Sequence, residues 1–264
     1  MHPLLENLQG LSPLDARSAR DLLAILGKTR LVRSGDDLLP HPDGTGSCTV
    51  LLAGMACRYQ TLWDGGRHIT ALYFPGDILD LDGLGAIQPV EQSLAALSRC
   101  QLAALPRDKL TRLIHERPPV RRAVWRHLLR DAAILRGWLI RSGRPASERM
   151  AHLFCEISCR SGGPESASRR KHALPLRQGD LADVLGLSVV HANRVLQGLR
   201  REKLATLKSG VLEILDWPKL QRAGAFDVAY LLDGRSAVCA GATGRAGASW
   251  APAEAARAGS RAAL

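Results

Sequence analysis

The stretch Gln178-Gly-Asp-Leu-Ala-Asp-Val-Leu-Gly-Leu-Ser-Val-Val-His-Ala-Asn-Arg-Val-Leu-Gln-Gly-Leu-Arg-Arg201 carries the strongest fold signal in this 264-residue chain. Its apolar residues are spaced as the buried faces of two short helices, namely Leu181, Val184 and Leu185 in the first and Val195, Leu196 and Leu199 in the second. Gly186 supplies the turn between the helices, and Ser188 is a good N-cap for the second. The stretch therefore predicts a helix-turn-helix.

The start of the second helix is left facing outward. Its exposed side chains are expected to be Val189, Val190, Asn193 and Arg194. A helix N-terminus that presents a few such side chains fits the major groove of DNA. We therefore expect double-stranded DNA to be a partner.

The distribution of charge supports a polyanionic partner. The net charge of the chain is +11. Residues 117–208 hold 19 Lys and Arg against 7 Asp and Glu, whereas residues 1–116 hold 11 against 13. The excess positive charge therefore lies in the segment that contains the helix-turn-helix. A solvated basic surface that aids solubility is the alternative explanation.

The composition predicts a cytoplasmic protein. No apolar run is long enough to span a membrane, and the N-terminus lacks the pattern of a secretory signal. The six cysteines are scattered, at positions 48, 57, 100, 155, 159 and 239. Such spacing is typical of free thiols in a reducing compartment.

The pattern changes along the N-terminal half of the chain. Leucines at helical spacing predict helix over residues 1–27. From Val32 to Leu113, short apolar or alternating runs are separated by turns such as Asp43-Gly-Thr-Gly and Pro75-Gly-Asp. Regular short strands with such turns predict an antiparallel β-roll or barrel. Together with the helices, this indicates an α+β protein.

A long helix is predicted from Pro118 to about Arg141. Its apolar stripe has nearly the spacing of a coiled-coil seam and consists of Val124, Leu128, Ala132, Leu135 and Leu139. We expect this stripe to form a homodimer interface, because two-fold symmetry also suits a motif that reads paired half-sites. Packing of the stripe against the chain's own barrel stays open as an alternative.

The remaining segments complete a domain plan. Ser142-Gly-Arg-Pro predicts a hinge, residues 146–160 a helix, residues 161–171 a polar loop, and residues 203–215 a hairpin with Lys208 at its tip. A terminal helix is expected from Trp217 to about Leu232. The plan is a sensor domain over 1–116, a dimerisation helix over 117–142, a DNA-binding domain over 143–235 and a disordered tail over 236–264.

The order of these segments resembles the Crp/Fnr superfamily of bacterial transcription regulators. The most specific similarity lies in Leu181–Glu202, followed by Leu212-Glu-Ile-Leu-Asp-Trp217. The barrel contributes Leu52-Ala-Gly-Met-Ala-Cys-Arg-Tyr59 and Tyr73-Phe-Pro-Gly-Asp77. The resemblance implies an N-terminal cyclic-nucleotide-binding-like, double-stranded β-helix or jelly-roll-like fold, a long dimerisation helix and a winged helix-turn-helix. It also implies contact with RNA polymerase.

The resemblance assigns expected roles in DNA binding. Ser188 would cap the reading helix and contact a phosphate. Arg194 occupies the family's arginine position, where it can pair with guanine. Val189 and Val190 depart from the charged pairs of many members, and they could touch thymine methyl groups. The remaining expected contacts are His191 with a phosphate or in a structural hydrogen bond, Asn193 with an adenine or a phosphate, and Gln178 and Lys208 with the DNA backbone.

The sensor domain lacks the residues that bind cyclic nucleotides in the family. Leu79-Asp80 and Gln92-Ser93 stand where a Gly-Glu pair and an Arg-Ser pair hold the ribose and the cyclic phosphate. Without the arginine, the phosphate loses its charge-assisted partner, so we expect neither cAMP nor cGMP to bind. If the roll binds another effector, the resemblance places its pocket at Gly76, Asp77, Asp80, Gln92 and Ser93.

No metal or other cofactor is predicted. The N-terminal cysteine group of the iron–sulfur members is missing, because no cysteine precedes Cys48. His152, Cys155 and Cys159 share one helix face, which could make a partial metal or redox site. We favour the alternative that both cysteines are core residues and that His152 caps the surface. Haem ligation by a single His or Cys stays open.

The sequence thus predicts a sequence-specific, dimeric transcription regulator. In the family, an effector shifts the long helices and reorients the DNA-binding domains. The second hypothesis is an architectural DNA-binding protein whose barrel senses nothing, because Val189 and Val190 are apolar and the nucleotide-binding residues are missing. No motif indicates an enzyme. The carboxylates of Asp77, Asp80 and Asp82 could hold a cation, but we expect a solvated turn.

Overall fold

A computed structural model of the chain describes residues 1–38, 46–81, 93–162 and 168–231. The fold is α+β, as predicted, and runs from a β-roll through a long helix to a winged helix-turn-helix. The elements of the N-terminal part are α1 (Pro3–Leu11), α2 (Ala16–Ala24), β1 (Thr29–Val32), β2 (Ser47–Ala53), β3 (Ala56–Thr61), β4 (Arg67–Tyr73), β5 (Ser93–Ala96), β6 (Cys100–Pro106), α3 (Arg107–Glu116) and α4 (Pro118–Arg141). The elements that follow are α5 (Ala146–Arg160), β7 (Arg170–Ala173), α6 (Gln178–Leu185), α7 (Val189–Arg201), β8 (Ala205–Lys208), β9 (Val211–Ile214), α8 (Trp217–Ala223) and a 3-10 turn (Val228–Leu231).

Two local expectations for the N-terminal part are corrected. The single helical segment over residues 1–27 is two helices, because α1 ends at Leu11 and the Asp15 carboxylate caps the start of α2 by accepting from the Ser18 amide. The strand region predicted up to Leu113 ends earlier, because residues 107–116 form α3. Leu110 and Leu113 are buried in a core shared with α1 and α4, so tertiary packing selects helix there.

The β-roll consists of two three-stranded antiparallel sheets, with strand orders β1-β6-β2 and β4-β3-β5. Consecutive residues of β3 point to opposite faces, and both faces are covered. Ala56 lies in the core between the sheets, whereas Cys57 lies in a second core that is shared with the C-terminal domain. The second sheet is therefore sandwiched, which explains why β3 begins without polar alternation.

The C-terminal domain is a winged helix-turn-helix with two differences from the prediction. The polar loop of residues 161–171 ends in β7, which pairs with β9 as the third strand of the wing sheet. The predicted terminal helix stops at Ala223, because Ala225 has a positive φ of 42° and the chain turns before a 3-10 segment. The predicted disordered tail over 236–264 lies outside the described residues.

The roll and the C-terminal domain are joined by charged contacts. Arg67 in β4 donates to the carboxylates of Asp180 and Asp183 on α6, with 2.8 Å between its Nε and Asp183. Asp180 also accepts from the Arg177 amide at 2.8 Å and thereby caps α6. The position of the helix-turn-helix thus depends on the β3–β4 hairpin. In the described part of the chain, no helix is both long and apolar enough to span a membrane.

Candidate DNA-binding interface, dimer face and cavity

The helix-turn-helix has the geometry that its sequence predicts. Gly186 ends α6 in the left-handed conformation, with φ of 57° and ψ of 46°, which a residue without a Cβ adopts freely. The Ser188 hydroxyl accepts a 3.2 Å hydrogen bond from the His191 amide and begins α7. The turn is thus set by the backbone conformation of Gly186 and by a side-chain cap.

Helix α7 has a buried stripe and an outward stripe. The buried stripe is Ala192, Leu196 and Leu199, which pack into the domain core. The outward stripe runs directly opposite at spacings of four, three and four residues, and consists of Val190, Arg194, Gln197 and Arg201, all exposed. We define these four residues as the outward stripe of α7.

The other predicted DNA contacts lie around this stripe. Val189, His191 and Ser188 are exposed at the start of α7, and Asn193 is half-buried on its flank. Gln178 is exposed as the first residue of α6, and Lys208 is exposed at the end of β8, next to the wing turn. Sequence reasoning missed Gln197 and Arg201, although their spacing of seven and eleven from Val190 could have revealed them.

Helix α4 carries an exposed apolar face. Its members Trp125, Leu128, Ala132, Leu135 and Leu139 follow spacings of three, four, three and four, which is the a/d repeat of a coiled coil. We call these five residues the α4 seam. The prediction for Val124 was wrong, because that side chain packs into the chain's own core with α1 and α3. Trp125, which is 63% exposed, takes its place in the seam.

A cavity of about 340 Å³ lies between the roll and α4. Most of its lining is apolar. The charged side chains that line it are Arg58, Asp131 and Arg160, and the others belong to Thr70, Ala71, Leu72, Tyr73, Ile78, Leu79, Leu81, Leu128, Ala132, Ile134 and Leu135. Leu128, Ala132 and Leu135 also belong to the α4 seam. Any occupant of the cavity would therefore contact the seam.

Comparison with known protein families covers both domains. Residues 29–117 match the cyclic nucleotide-binding domain family, and residues 148–223 match the Crp-like helix-turn-helix domain. The nitrogen fixation regulation protein FixK of Bradyrhizobium diazoefficiens is 28% identical over 81% of this chain and 89% of its own length. The transcriptional activator protein FnrL of Cereibacter sphaeroides is 26% identical over 73% of this chain and 79% of its own.

The chain belongs to the Crp/Fnr family of transcription regulators. The solved structure of FixK2 from Bradyrhizobium japonicum has the same fold, with a TM-score of 0.63 at 21% identity over 74% of this chain and 96% of that structure. The structure of CprK in complex with OCPA also has this fold, with a TM-score of 0.54 at 16% identity over 84% of this chain and 93% of that one. Crp/Fnr regulators bind DNA through the helix-turn-helix and act as dimers.

Of the residues expected to form the effector pocket, the four that the structure describes do not line the cavity. Gly76 packs against α1, where a Cβ would lie 2.4 Å from the Pro3 carbonyl oxygen. Asp77 is buried in ion pairs, and Ser93 is exposed on β5. Asp80 is buried, and its carboxylate accepts from the Thr49 amide at 2.6 Å. Gln92 and Asp82 lie outside the described residues. Asp77 and Asp80 are thus not part of a solvated turn.

Both arginines that line the cavity donate hydrogen bonds to other groups of the protein. Arg58 donates to the Leu79 carbonyl at 2.6 Å. Arg160 donates to the Leu72 carbonyl at 2.8 Å and to Asp77 at 3.1 Å. A cyclic phosphate would have to displace these interactions to gain a charge-assisted partner. Among the described lining residues, no guanidinium is held ready for a phosphate.

A buried polar network joins the two domains of this Crp/Fnr protein through Asp77. The Asp77 carboxylate accepts from Arg130 on α4 at 2.7 Å, from Asn7 on α1 at 2.9 Å and from Arg160 on α5 at 3.1 Å. Arg160 also donates to the Glu156 carboxylate, which accepts from the Tyr230 hydroxyl at 2.8 Å. Burial alone would raise the pKa of Asp77, but Arg130 and Arg160 lower that pKa to about 2.

The predicted His152, Cys155 and Cys159 group is divided between core and flank. His152 is buried rather than capping the surface, and its ring nitrogens lie 3.1 Å from the Gly224 carbonyl oxygen and 3.1 Å from the Tyr230 hydroxyl. Burial lowers the pKa of His152 to about 4. Cys155 is buried and Cys159 is half-buried. Both ring nitrogens of His152 therefore have protein partners.

Ser188 caps α7 and also lies where a DNA phosphate is expected, so its replacement should affect both stability and DNA binding. Replacement by alanine removes the cap of α7, so we expect Ser188→Ala to lower the free energy of unfolding by about 1 kcal/mol. Ser188→Asp keeps a capping oxygen but adds a negative charge where a DNA phosphate is expected, so it should remain stable and bind DNA weakly. Urea unfolding and DNA titration of both variants measure the two effects. Equal DNA affinity of Ser188→Asp and the parent chain would exclude the phosphate contact.

Proposed function

We propose that this chain is a cytoplasmic, sequence-specific transcription regulator that binds a two-fold symmetric DNA site as a homodimer and has no catalytic role. The observation that carries the proposal is the outward stripe of α7, whose four members are all exposed on the face opposite the buried stripe. The N-terminus of α7, which Ser188 caps, also places the positive end of the helix dipole beside Val190, the first member of the stripe. Arg194 and Arg201 add charge for a polyanion.

Selection from a pool of random duplex DNA tests this proposal. The purified full-length chain is expected to enrich a palindromic motif whose half-sites lie about one helical turn, roughly 10 base pairs, apart. The proposal would be contradicted if no sequence motif were enriched and if the affinity changed with salt but not with DNA sequence. That result would indicate an architectural protein instead. Repeating the binding titration at several salt concentrations separates the two outcomes.

We propose that dimerisation occurs through the α4 seam. Leu135 is 55% exposed, so about half of its side chain is available for burial against a partner. Replacement by alanine should reduce the free energy of dimerisation by about 1 kcal/mol per copy, or about 2 kcal/mol in a symmetric dimer. The dimer dissociation constant should then increase about thirtyfold. Sedimentation equilibrium over a concentration series measures this change.

The matched control for this prediction is Leu31→Ala. Leu31 is 62% exposed on β1, away from α4, so its replacement should leave the dimer unchanged. If Leu135→Ala and Leu31→Ala gave the same dimer dissociation constant as the parent chain, the seam would not be the interface. Parallel DNA titrations should show that Leu135→Ala binds the palindrome weakly, because its two half-sites are then read by separate protomers.

We also propose that the cavity binds an effector that is largely apolar rather than a cyclic nucleotide. Its apolar lining supports this class, as do the carbonyl and carboxylate partners of Arg58 and Arg160. Millimolar cAMP or cGMP is therefore expected to leave both the melting temperature and the DNA affinity unchanged. A clear increase in melting temperature with either nucleotide would contradict this part of the proposal.

Contact with RNA polymerase completes the proposed function. A regulator that binds beside a promoter acts on transcription by recruiting or by blocking the polymerase. In vitro transcription from a promoter that carries the selected palindrome tests this step. A change of transcript level in either direction, abolished by mutation of the palindrome, is expected, and an unchanged level at saturating protein would contradict it.

A further inference from the structure

Val190 is the apolar member of the outward stripe of α7. It lies in the first turn of the helix and is 69% exposed, whereas Arg194, Gln197 and Arg201 on the same stripe are polar. Valine is also a poorer helix former than the residues that commonly occupy exposed helical positions. Neither burial nor helix propensity therefore accounts for a valine at this position.

The chemistry of the valine side chain limits what it can recognise. It has no hydrogen-bond donor or acceptor, so it cannot pair with the polar edge of a base. The apolar group that bases present in the major groove of ordinary DNA is the 5-methyl group of thymine. The first turn of α7 also contains no acidic side chain, so it offers no carboxylate to the amino group of cytosine.

The position of Val190 relative to Arg194 fixes where this base would lie. The two residues are four apart on one helix face, which places their Cβ atoms about 5–6 Å from each other. Successive bases along a strand are about 3.4 Å apart. At this spacing, two side chains that enter the same major groove would contact bases one or two steps apart in the same half-site.

From these observations, and resting on the proposed function, we propose that Val190 selects thymine by covering its 5-methyl group. The thymine lies one or two base pairs from the guanine that Arg194 contacts. Val190 is thus a specificity-determining residue of this chain.

Replacing thymine by uracil tests this assignment, because uracil lacks only the methyl group. The symmetric site obtained by selection is synthesised in versions that carry uracil in place of one thymine. Each thymine position is tested in one half-site and then in both. At the position read by Val190, the dissociation constant should increase about fourfold for one half-site and about fifteenfold for both. Substitution at the other thymines should have little effect.

Two variants connect the methyl effect to Val190. In Val190→Ala, which keeps a good helix former but removes the two γ-methyl groups, the preference for the thymine site over the uracil site should fall well below that of the parent chain. Leu31→Ala is the matched control, because Leu31 is an aliphatic residue of similar exposure, 62%, on β1 of the roll and outside the helix-turn-helix, and it should retain the discrimination. Melting temperatures of both variants confirm that they fold.

The outcomes separate this inference from the proposed function. A selected motif whose thymines can all be replaced by uracil without loss of affinity overturns the role of Val190 and leaves the proposed function standing. The same holds if Val190→Ala discriminates against uracil as strongly as the parent chain does. A pool without any motif overturns the proposed function itself, and the role of Val190 with it.

Discussion

Replacement of Arg194 by alanine is expected to abolish sequence-specific DNA binding. Arg194 is exposed in the centre of the outward stripe of α7, one turn after Val190. A bidentate contact between arginine and guanine contributes about 1–3 kcal/mol to discrimination, and a symmetric dimer makes the contact twice. The loss of about 2–6 kcal/mol corresponds to an increase in dissociation constant of about 30-fold to about 20,000-fold.

The measurement compares the selected palindrome with a scrambled duplex. Arg194→Ala should bind the two duplexes with similar affinity. Arg194→Lys should regain only part of the preference for the palindrome, because lysine keeps the charge but lacks the planar donor pair. The matched control is Arg200→Ala, which removes an exposed charge from α7 away from the outward stripe. Equal losses on palindrome and scrambled DNA in Arg194→Ala would show a phosphate contact instead of base recognition.

Replacement of Asp77 by alanine should have the largest effect on stability. Its carboxylate compensates the buried guanidinium groups of Arg130 and Arg160, whose side chains are 5% and 7% exposed. Removal of one partner from such a buried group costs about 3–5 kcal/mol, because the remaining charges stay buried without compensation. Domains are stable by only about 5–15 kcal/mol, so urea unfolding of Asp77→Ala should show a far lower midpoint.

The matched control for this variant is Asp131→Ala. Asp131 lies 3.8 Å from Arg130 but is 34% exposed, so solvent screens the pair and its loss should cost less than about 1 kcal/mol. If both variants unfolded at the midpoint of the parent chain, the buried network would not stabilise the fold. A large loss of stability in Asp131→Ala alone would show that Asp131, and not Asp77, compensates the buried guanidinium groups.

The same carboxylate predicts how stability depends on pH. The pKa of Asp77 is about 2 in the folded chain, against about 3.9 for an unfolded aspartate. Its contribution to the free energy of unfolding is therefore complete above about pH 5 and is lost as the pH falls through 4 toward 2. Asp77→Ala should lack this part of the acid unfolding profile. An identical loss of stability between pH 5 and pH 2 in the variant would assign it to other carboxylates.

The long-range contacts of Asp77 show where prediction from sequence failed. The family resemblance placed Asp77 in an effector pocket, and the clustered carboxylates were expected to form a solvated turn. In the fold, its carboxylate meets residues 53 and 83 positions further along the chain. Nothing local specifies those partners, so only assembly of α4 and α5 around the roll could reveal them. The segments α3 and β7 were missed for the same reason, because distant packing decides their conformation.

The sequence by itself determined the helix-turn-helix. Its two helices, turn and cap depend on residues within one turn of each other, namely the apolar spacing, the left-handed Gly186 and the Ser188 hydroxyl. It also determined that α4 carries an apolar face of coiled-coil spacing. Interactions of this kind are local, so they are encoded in the order of neighbouring residues.

The tertiary structure alone decided which side chains of these elements are available. Val124 and Trp125 are adjacent and both apolar, yet α1 and α3 cover the first and leave the second in the α4 seam. The sequence predicted that Val190 and Arg194 of α7 face outward, and the packing of Ala192, Leu196 and Leu199 in the core added Gln197 and Arg201 to the same stripe. Exposure depends on what packs against a helix from elsewhere in the chain, and the amino-acid pattern of the helix does not contain that information.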